Sequence, residues 1–372
     1  MAKRRFGDWA AAVFCAALAA FFFLAGIFRI GVSSAEEENR ALAELPSFSI
    51  RELASGSFFE DLSLFVSDNF PLRKNLVRMN ARLRIILGEG ESNGVFVGSD
   101  GSFIMRGEYE SLSCFEENIR AIGELESVYG NAITAVVPRA CDVYTEKLPW
   151  GYSMKRAEEI YSSLARELPE AYNNNRALLA ALREIEQAFY ATDHHWTTEG
   201  AYSAYRVICS ALGVKCYGEE YFTKEIVSRD FYGSLSSKAA LYLQNPDSVA
   251  LYRYSGDTEI EVSLENGKTG GLYDWASLDK KDKYQVFLGG NRAFTSIKGS
   301  NSGERPRLLI IKDSFANSLI PFLALHFDID IIDPRYCTER ITDMTEGNKY
   351  DRVLILVGAD TLATTPMARY LR

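Results

Sequence analysis

The chain has 372 residues, and its hydrophobic content of 47% is ample for a packed core, so the composition excludes a wholly disordered protein. Its 41 basic and 50 acidic side chains give a net charge of −9 at pH 7. Because this acidic balance repels a phosphate backbone and no basic patch offsets it, we expect no nucleic-acid partner. The length suits two domains or one large elaborated domain.

The first 32 residues predict a membrane segment. Residues Trp9–Phe28 carry no charge and follow the basic cluster Lys3–Arg5. Such a helix spans about 30 Å, which is one bilayer core, and the basic cluster would hold its start in the cytoplasm. A cleaved signal peptide is the alternative, because small residues follow at Ser33–Ala35. We therefore predict a cytoplasmic tip and signal anchor at 1–32, a linker at 33–57, and an extracytoplasmic domain after them.

The extracytoplasmic part, residues 58–372, shows the alternating strands and helices that are typical of an α/β fold. Residues 58–88 have helical spacing with a break at Asn69–Pro71, and Gly94–Ile104 predicts a hairpin around Ser99 and Asp100. Apolar runs typical of buried parallel strands lie at Ile133–Val137, Leu308–Ile311, Ile329–Ile332 and Val353–Val357. Helical patterns lie at Met154–Leu168, Leu178–Phe189, Glu199–Leu212 and Phe315–His326. These patterns predict a mainly parallel sheet with helices on both faces, and an insertion of loops and short strands at 217–300.

The six cysteines indicate neither a disulfide framework nor a zinc site. Cys15 lies in the apolar N-terminal run, and the other five form no CxxC pair. Most are expected to be small buried side chains, and only Cys209 and Cys216 are close enough in sequence to suspect a disulfide bond. We expect no cofactor.

The chain has three histidines, and two of them are adjacent in the tetrad Asp193–Trp196. In an extended or loop segment, Asp193 and His195 leave the backbone on the same side, so the carboxylate can fix the imidazole tautomer and free its other nitrogen as a base. A packed structural histidine is one alternative. A metal site on Asp193, His194 and His195 is another, which we favour less because adjacent side chains point to different sides.

Ser314 follows the predicted strand Leu308–Ile311 and precedes an amphipathic helical pattern. Ligands of open α/β sheets bind at this edge, where N–H groups at a helix start can stabilise an oxyanion. The commoner explanation of such residues is that Asp313 or Ser314 only caps the helix.

Two further polar turns offer candidate ligands. Phe287–Asn291 is predicted as an apolar strand that ends in glycines, where Asn291 can donate its amide to an oxyanion or can simply form a turn. Asp333–Tyr336 follows another predicted strand, and its Arg335 can orient a carboxylate or sugar hydroxyl or pair with a surface acid.

These residues resemble the DHHW protein family, named for the tetrad that is Asp193–Trp196 here. That family is similar to the SGNH-hydrolase-like domains of bacterial alginate O-acetyltransferases, which implies an SGNH-hydrolase-like (flavodoxin-like) fold. The resemblance covers most of the extracytoplasmic part, with matching segments at Glu38–Arg40, Asp68–Arg73, Asn93–Val95, Phe231–Gly233, Gly289–Asn291, Lys312–Ser314 and Asp333–Tyr336.

The resemblance implies that Ser314 is a nucleophile, that His195 is its base and that Asp193 orients His195. The family pattern Asp-x-His-Trp selects His195 over His194, which then has a structural or substrate-contact role. Residues expected to bind the oxyanion or substrate are Gly290, Asn291, Arg335, Trp196 and His194. Lys312 departs from the pattern, which has glycine at that position.

The resulting expectation is a serine-dependent O-acetyltransferase or acetylesterase that acts outside the cytoplasm on a cell-surface or exopolysaccharide. The two reactions share an acyl-serine and differ in the acceptor, so both stay open. A transferase would need an acyl donor, for which the resemblance implies a multispanning membrane acyltransferase. The alternative is a catalytically inactive glycan-binding or scaffold protein of an envelope polysaccharide complex.

Overall fold

The computed structural model describes residues 2–27, 42–107, 109, 111–152, 155–242, 245–256, 260–264, 267–299 and 305–371. The chain divides into two compact units, of which the first is Met1–Ser92 with Ser237–Leu241 and the second is Asn93–Ser236 with Tyr242–Arg372. All the candidate site residues belong to the second unit.

The first unit is helical over most of its described residues. Its elements are α1 (Ala2–Ile27), α2 (Ile50–Ser55), α3 (Ser57–Asp68), α4 (Arg73–Ile86) and β1 (Glu91–Ser92). The expected break at Asn69–Pro71 is confirmed, since it separates α3 from α4. Within the described ranges, none of the helices is both long and apolar enough to cross a bilayer. The membrane anchor stays a prediction, and residues 28–41 lie outside the described residues.

The second unit alternates strands and helices. Its strands are β2 (Val95–Val97), β3 (Phe103–Met105), β4 (Ala132–Val137), β5 (Phe222–Phe231), β6 (Asp247–Tyr254), β7 (Ile260–Leu264), β8 (Thr269–Gly270), β9 (Phe294–Gly299), β10 (Arg307–Lys312), β11 (Asp328–Ile332) and β12 (Arg352–Gly358). Its helices are α5 (Ser113–Tyr129), α6 (Ala140–Val143), α7 (Lys155–Glu167), α8 (Pro169–Arg183), α9 (Thr198–Leu212), α11 (Ile320–Leu323), α12 (Ile341–Met344), α13 (Ala359–Thr364) and α14 (Ala368–Leu371), and the first three residues of α10 (Ser234–Ala239) also belong to it. The expected hairpin is confirmed as the antiparallel pair β2–β3.

The central sheet has the strand order β4-β12-β10-β11-β9-β7-β8. The four strands expected from apolar runs are confirmed as its parallel part, which comprises β4, β12, β10 and β11. Strands β9, β7 and β8 extend it with antiparallel pairing and come from the segment expected to be an insertion. Their mixed burial explains why no continuous apolar run marked them in the sequence.

Alternate residues of the parallel strands supply two hydrophobic cores. In β10, Leu308 and Ile310 lie in the core with α8, α9 and α11, whereas Leu309 and Ile311 lie in the core with α5, α7 and α13. Successive side chains of a strand point to opposite faces of the sheet. The expectation of a mainly parallel α/β sheet with helices on both faces is therefore confirmed.

Two expected helices have different bounds. The pattern Leu178–Phe189 belongs to α8 only as far as Arg183, and Phe189 instead pairs with Trp196 in an isolated antiparallel bridge. The pattern after Ser314 forms a 3-10 helix (Ser314–Ser318) followed by the short α11. A continuous α-helix is interrupted because Pro321 lacks the N–H that would bond to the carbonyl of residue 317.

The thiols form no cross-links. All six cysteines are free, so Cys209 and Cys216 are not joined. Cys141, Cys209 and Cys337 are buried, as expected of small apolar side chains.

Asp313 connects the ends of two neighbouring strands. Its buried carboxylate accepts hydrogen bonds from the backbone N–H of Phe315 at 3.0 Å, the N–H of Gly358 at 2.8 Å and the Thr361 hydroxyl at 2.6 Å. Because β10 and β12 are parallel, their carboxyl ends lie at the same edge of the sheet. Asp313 thus caps the 3-10 helix, as the alternative explanation expected, and also fixes this edge.

We expect Asp313→Ala to lower the free energy of unfolding by about 2–4 kcal/mol, because it leaves two buried N–H groups and the partly buried Thr361 hydroxyl without their acceptor. Chemical denaturation of the full-length protein measures the change. Asp343→Ala, which removes an exposed carboxylate, is the matched control and should change stability by about 0.5 kcal/mol or less. Equal stability of the two variants would contradict this role of Asp313.

Candidate active site

The tetrad lies in a loop between α8 and α9 that is closed by its own backbone. The N–H of Tyr190 donates to the carbonyl of His195 at 3.1 Å, and the N–H of Thr197 donates to the carbonyl of Ala188 at 2.8 Å. Thr197 then caps α9 by accepting a hydrogen bond from the N–H of Gly200. The loop therefore presents Asp193, His194 and His195 from a fixed backbone.

Asp247, the first residue of β6, holds the start of this loop. Its buried carboxylate accepts hydrogen bonds from the N–H of Ala191 at 2.9 Å, the N–H of Thr192 at 2.8 Å and the Thr192 hydroxyl at 2.5 Å. Burial raises the pKa of Asp247 above its ordinary value. Asp247 was not identified from the sequence, where it is a lone acid in a segment without clear periodicity.

Asp193 is fixed from both sides of its carboxylate. Oδ1 accepts hydrogen bonds from His195 Nδ1 at 2.6 Å and from the His195 backbone N–H at 2.9 Å, and Oδ2 accepts one from the N–H of Ser234 at 2.7 Å. A Cβ atom at Gly233 would lie 2.2 Å from the Cβ of Asp193, so only glycine fits there. Sequence reasoning gave Gly233 no role beyond membership of a matching segment.

The charge state of Asp193 follows from these contacts. Burial by itself would raise the pKa of this carboxyl, but the imidazoles of His194 and His195 and the hydrogen bonds from His195 and Ser234 hold it well below its ordinary value. Asp193 is therefore a carboxylate throughout the physiological range of pH.

Ser314 lies within hydrogen-bonding distance of His195. The His195 Nε2 and Ser314 Oγ atoms are 2.8 Å apart. Since Nδ1 donates to Asp193, the neutral ring carries its hydrogen there and its Nε2 lone pair accepts the serine hydroxyl. The three side chains thus have the relative arrangement of a nucleophile, a base and an orienting carboxylate. Ser314 is half-buried, so its hydroxyl remains partly accessible.

The His195 ring lies between two other rings. The His194 ring centroid is 3.8 Å away with an interplanar angle of 38°, and the Tyr284 ring centroid is 3.8 Å away with an angle of 9°. The expectation that the adjacent histidine side chains diverge is therefore wrong. His194 Nδ1 lies 2.6 Å from the hydroxyl of Ser234, the first residue of α10.

Asp193, His194 and His195 are also the residues that could hold a metal ion in the described part of the chain, because their ligand atoms lie within 4.8 Å of one another. Both His195 nitrogens already have partners, in Asp193 and Ser314. A metal ion at this position would have to displace the serine or the carboxylate from the imidazole.

Tyr284 and Trp196 fix the backbone that follows Ser314. The Tyr284 hydroxyl donates to the carbonyl of Ser314 at 3.1 Å, and burial raises the pKa of this phenol well above its ordinary value. Trp196 Nε1 donates to the carbonyl of Phe315 and to the Ser318 hydroxyl, both at 2.9 Å. Trp196 is 0% exposed, so the expectation that it contacts the substrate is wrong. Tyr284 was not identified from the sequence, where it is one of 20 tyrosines.

The turn before Asn291 differs from its expected form. The run Phe287–Asn291 is not a strand, because Leu288, Gly289 and Gly290 have positive φ angles of 62°, 68° and 92° and follow a 3-10 helix. Positive φ is favourable for glycine and reverses the chain. Gly290 therefore forms a tight turn immediately before Asn291.

Asn291 lies beside Lys312, the residue in the position where the family pattern has glycine. Lys312 Nζ donates to Asn291 Oδ1 at 2.6 Å and to Asn317 Oδ1 at 2.7 Å. Arg335, which was expected to bind substrate, donates to both oxygens of Asp333 at 2.9 and 2.7 Å. Its role toward a substrate stays a prediction.

Comparison with known proteins extends these observations. The chain matches the DHHW protein family over residues 123–332, which is more than half of its length. No curated protein matches it. A DHHW family protein from Eubacterium siraeum has 23% identity and a TM-score of 0.61, over 76% of this chain and 95% of that one.

Two other proteins of known structure are similar. Bacillus cereus PatB1 has 19% identity and a TM-score of 0.59, over 74% of this chain and 99% of that one, and a second structure of it carries a sulfonyl adduct, with a TM-score of 0.58. The O-acetyltransferase domain of Pseudomonas putida AlgJ has 15% identity and a TM-score of 0.42, over 73% of this chain and 93% of that one.

The likeness to the Eubacterium siraeum protein and to PatB1 shows a shared fold. The residues matched by the family include the tetrad, Asn291 and Ser314. The chain belongs to the DHHW protein family.

Proposed function

We propose that this protein is a serine-dependent acyl-transfer enzyme that adds or removes O-acetyl groups on a cell-surface or exopolysaccharide outside the cytoplasm. The observation that carries the proposal is the continuous set of hydrogen bonds from Asp193 through His195 to Ser314. The choice of acetyl groups and of a polysaccharide is supported by the resemblance of the sequence motifs to alginate O-acetyltransferase domains.

In the first half-reaction, His195 Nε2 takes the proton from Ser314 as Oγ attacks the carbonyl carbon of an acetyl ester. The Asp193 carboxylate stabilises the imidazolium that forms. When the tetrahedral intermediate collapses, the ester C–O bond breaks and His195 returns the proton to the leaving oxygen. In the second half-reaction, His195 takes a proton from a sugar hydroxyl or from water, whose oxygen attacks the carbonyl carbon of the acetyl-serine. The bond between that carbon and Ser314 Oγ then breaks, and His195 returns the proton to Oγ, which regenerates the serine.

The tetrahedral intermediate needs a hydrogen-bond donor for its oxyanion. Asn291 supports such a role, because its amide oxygen accepts hydrogen bonds from Lys312 and Asn317, which leaves its NH2 group as the donor end of the side chain. Gly289 and Gly290 form the turn that immediately precedes Asn291.

The acyl donor and the location are proposed from the sequence. An N-terminal anchor would keep the catalytic unit close to the membrane, where a multispanning membrane acyltransferase would supply acetyl groups. Hydrolysis and transfer use the same residues and differ only in whether water or a sugar hydroxyl attacks the acetyl-serine.

We expect p-nitrophenyl acetate to add about 42 Da, the mass of one acetyl group, to Ser314 of the full-length protein. Intact-mass and peptide mass spectrometry measure the adduct. Ser314→Ala should show no adduct at this site, and His195→Ala should form it at least about 100-fold more slowly because the serine loses its base. Phenylmethylsulfonyl fluoride should also modify Ser314, a reagent class suggested by the sulfonyl adduct of PatB1.

Acetyl or sulfonyl modification that persists in Ser314→Ala, or that is absent from the native protein, would contradict the proposal. A folded protein that binds polysaccharide without modification of Ser314 would support the alternative of an inactive glycan-binding or scaffold protein. Product analysis with oligosaccharide acceptors then separates transfer from hydrolysis.

We expect Asp193→Asn to lower kcat by about 10²–10⁴-fold while KM changes little, because the amide no longer stabilises the imidazolium. Steady-state hydrolysis of p-nitrophenyl acetate measures both constants. Asp230→Asn, which changes an acid with a 76% exposed side chain in the same unit, is the matched control and should keep the native kcat. An Asp193→Asn enzyme with native kcat would show that the carboxylate does not assist His195.

A further inference from the structure

Lys312 is an unusually enclosed ammonium group. It is 2% exposed and is the last residue of β10, two positions before Ser314. A buried lysine is rare unless its charge is paired. Its nearest carboxylate oxygen, Oδ2 of Asp333, is 3.5 Å away, whereas the two amide oxygens of Asn291 and Asn317 are within 2.7 Å.

The carboxylate of Asp333 is already bound by another cation. Arg335 donates to it through Nε and Nη2, and the backbone N–H of Arg335 adds a third hydrogen bond at 3.2 Å. The short contacts of the Lys312 ammonium are therefore directed to the amides rather than to an acid.

An ammonium group can only donate hydrogen bonds, so it decides which way the amides point. Asn291 and Asn317 must both present their oxygens to Lys312, which resolves the twofold ambiguity of each side chain. The NH2 group of Asn317 then donates to Asn291 Oδ1 at 3.1 Å. The Asn291 oxygen thus accepts two hydrogen bonds, and its NH2 group has no acceptor among the described residues.

We infer that Lys312 is a positioning residue that fixes the Asn291 amide with its NH2 group directed to the oxyanion of the reaction. The inference rests on the proposed acyl transfer. It also gives a physical reason for a lysine in the position where the related pattern has glycine: the side chain turns into the interior and orients a donor.

The charge of the Lys312 ammonium changes within a pH range in which enzyme activity can be measured. Burial lowers the pKa of Lys312 to about 8, Asp333 and Asp313 act to raise it, and Arg335 acts to lower it further. Of these charged groups, Asp313 directly follows β10, and Asp333 and Arg335 lie in the turn after β11. Because deprotonation removes the positive charge behind the amides, activity should fall as pH rises through about 8.

The test compares Lys312→Met, Asn291→Ala and the double variant in the full-length protein, with kcat and KM for p-nitrophenyl acetate as the readout. Each single variant should lower kcat by about 10²–10³-fold with little change in KM. The double variant should lose no more than Asn291→Ala alone, because Lys312 acts through Asn291. Lys147→Met, which changes a lysine outside the site, is the matched control and should keep the native kcat.

Asn291→Asp keeps acceptors for Lys312 and Asn317 but has no NH2 group. It should retain the native melting temperature and lose kcat as Asn291→Ala does, which separates a loss of donor from a loss of folding. The native enzyme should lose activity above about pH 8, and this alkaline decrease should be absent from the residual activity of Lys312→Met.

A native kcat in Lys312→Met, or losses that multiply in the double variant, would overturn the inference while leaving Ser314-dependent activity intact. A further measurement tests the inference in a protein that shows no acyl-transfer activity. In Ser314→Ala, the Asn291 NH2 resonances should titrate with a midpoint near pH 8, and Lys312→Met should abolish this titration. A resonance that does not move between pH 7 and 9 would also overturn it.

Discussion

The hydrogen bond between His195 and Ser314 joins two segments that are 119 residues apart in the chain, and most contacts of the site serve to keep these segments together. The Trp196 indole bonds to the backbone and side chain just after the serine, so the residue next to the base also holds the residue next to the nucleophile. Tyr284 stacks on the His195 ring and bonds to the Ser314 carbonyl. The imidazole and the serine are thereby fixed by partners on both sides.

Polar groups hold the two segments where hydrophobic packing alone would not define their positions. Asp313 connects the end of β10 to Gly358 at the end of β12, and Asp247 fixes the loop at Thr192. Each accepts several hydrogen bonds inside the protein, which makes the position of its carboxylate specific. The sheet places Ser314 at its carboxyl edge. Asp313 and Asp247 then fix the positions of the backbone segments that carry Ser314 and His195.

The sequence predicted the parallel part of the sheet because buried parallel strands form continuous apolar runs, as in Leu308–Ile311. The scarce histidines and the strand-to-helix turn marked Asp193, His195 and Ser314 as candidates, and the resemblance to the DHHW family implied that they act together. The sequence predicted short strands at 217–300 but did not locate β7 and β9, because buried residues alternate with exposed or partly exposed ones there and form no such run. It could not identify Asp247 or Tyr284, because their roles depend on tertiary contacts with residues far away in the chain. Trp196 was wrongly expected to contact the substrate, because the sequence does not show whether the aromatic residue of this tetrad is buried.

Two carboxylates close to Thr192 show how the environment decides the charge of a buried acid. Asp247 is surrounded by neutral donors, and burial together with the negative Asp193 raises its pKa. Asp193 is buried as well, but the adjacent imidazoles and hydrogen bonds lower its pKa. Asp193 therefore contributes stability that is present above its ordinary pKa and is lost only as pH falls toward its lower folded value. Asp247 has the opposite sign, because ionisation of a group with a raised folded pKa opposes folding. As the pH falls, Asp247, which holds the loop, therefore takes up a proton before Asp193 does. Asp193 keeps the negative charge that orients His195.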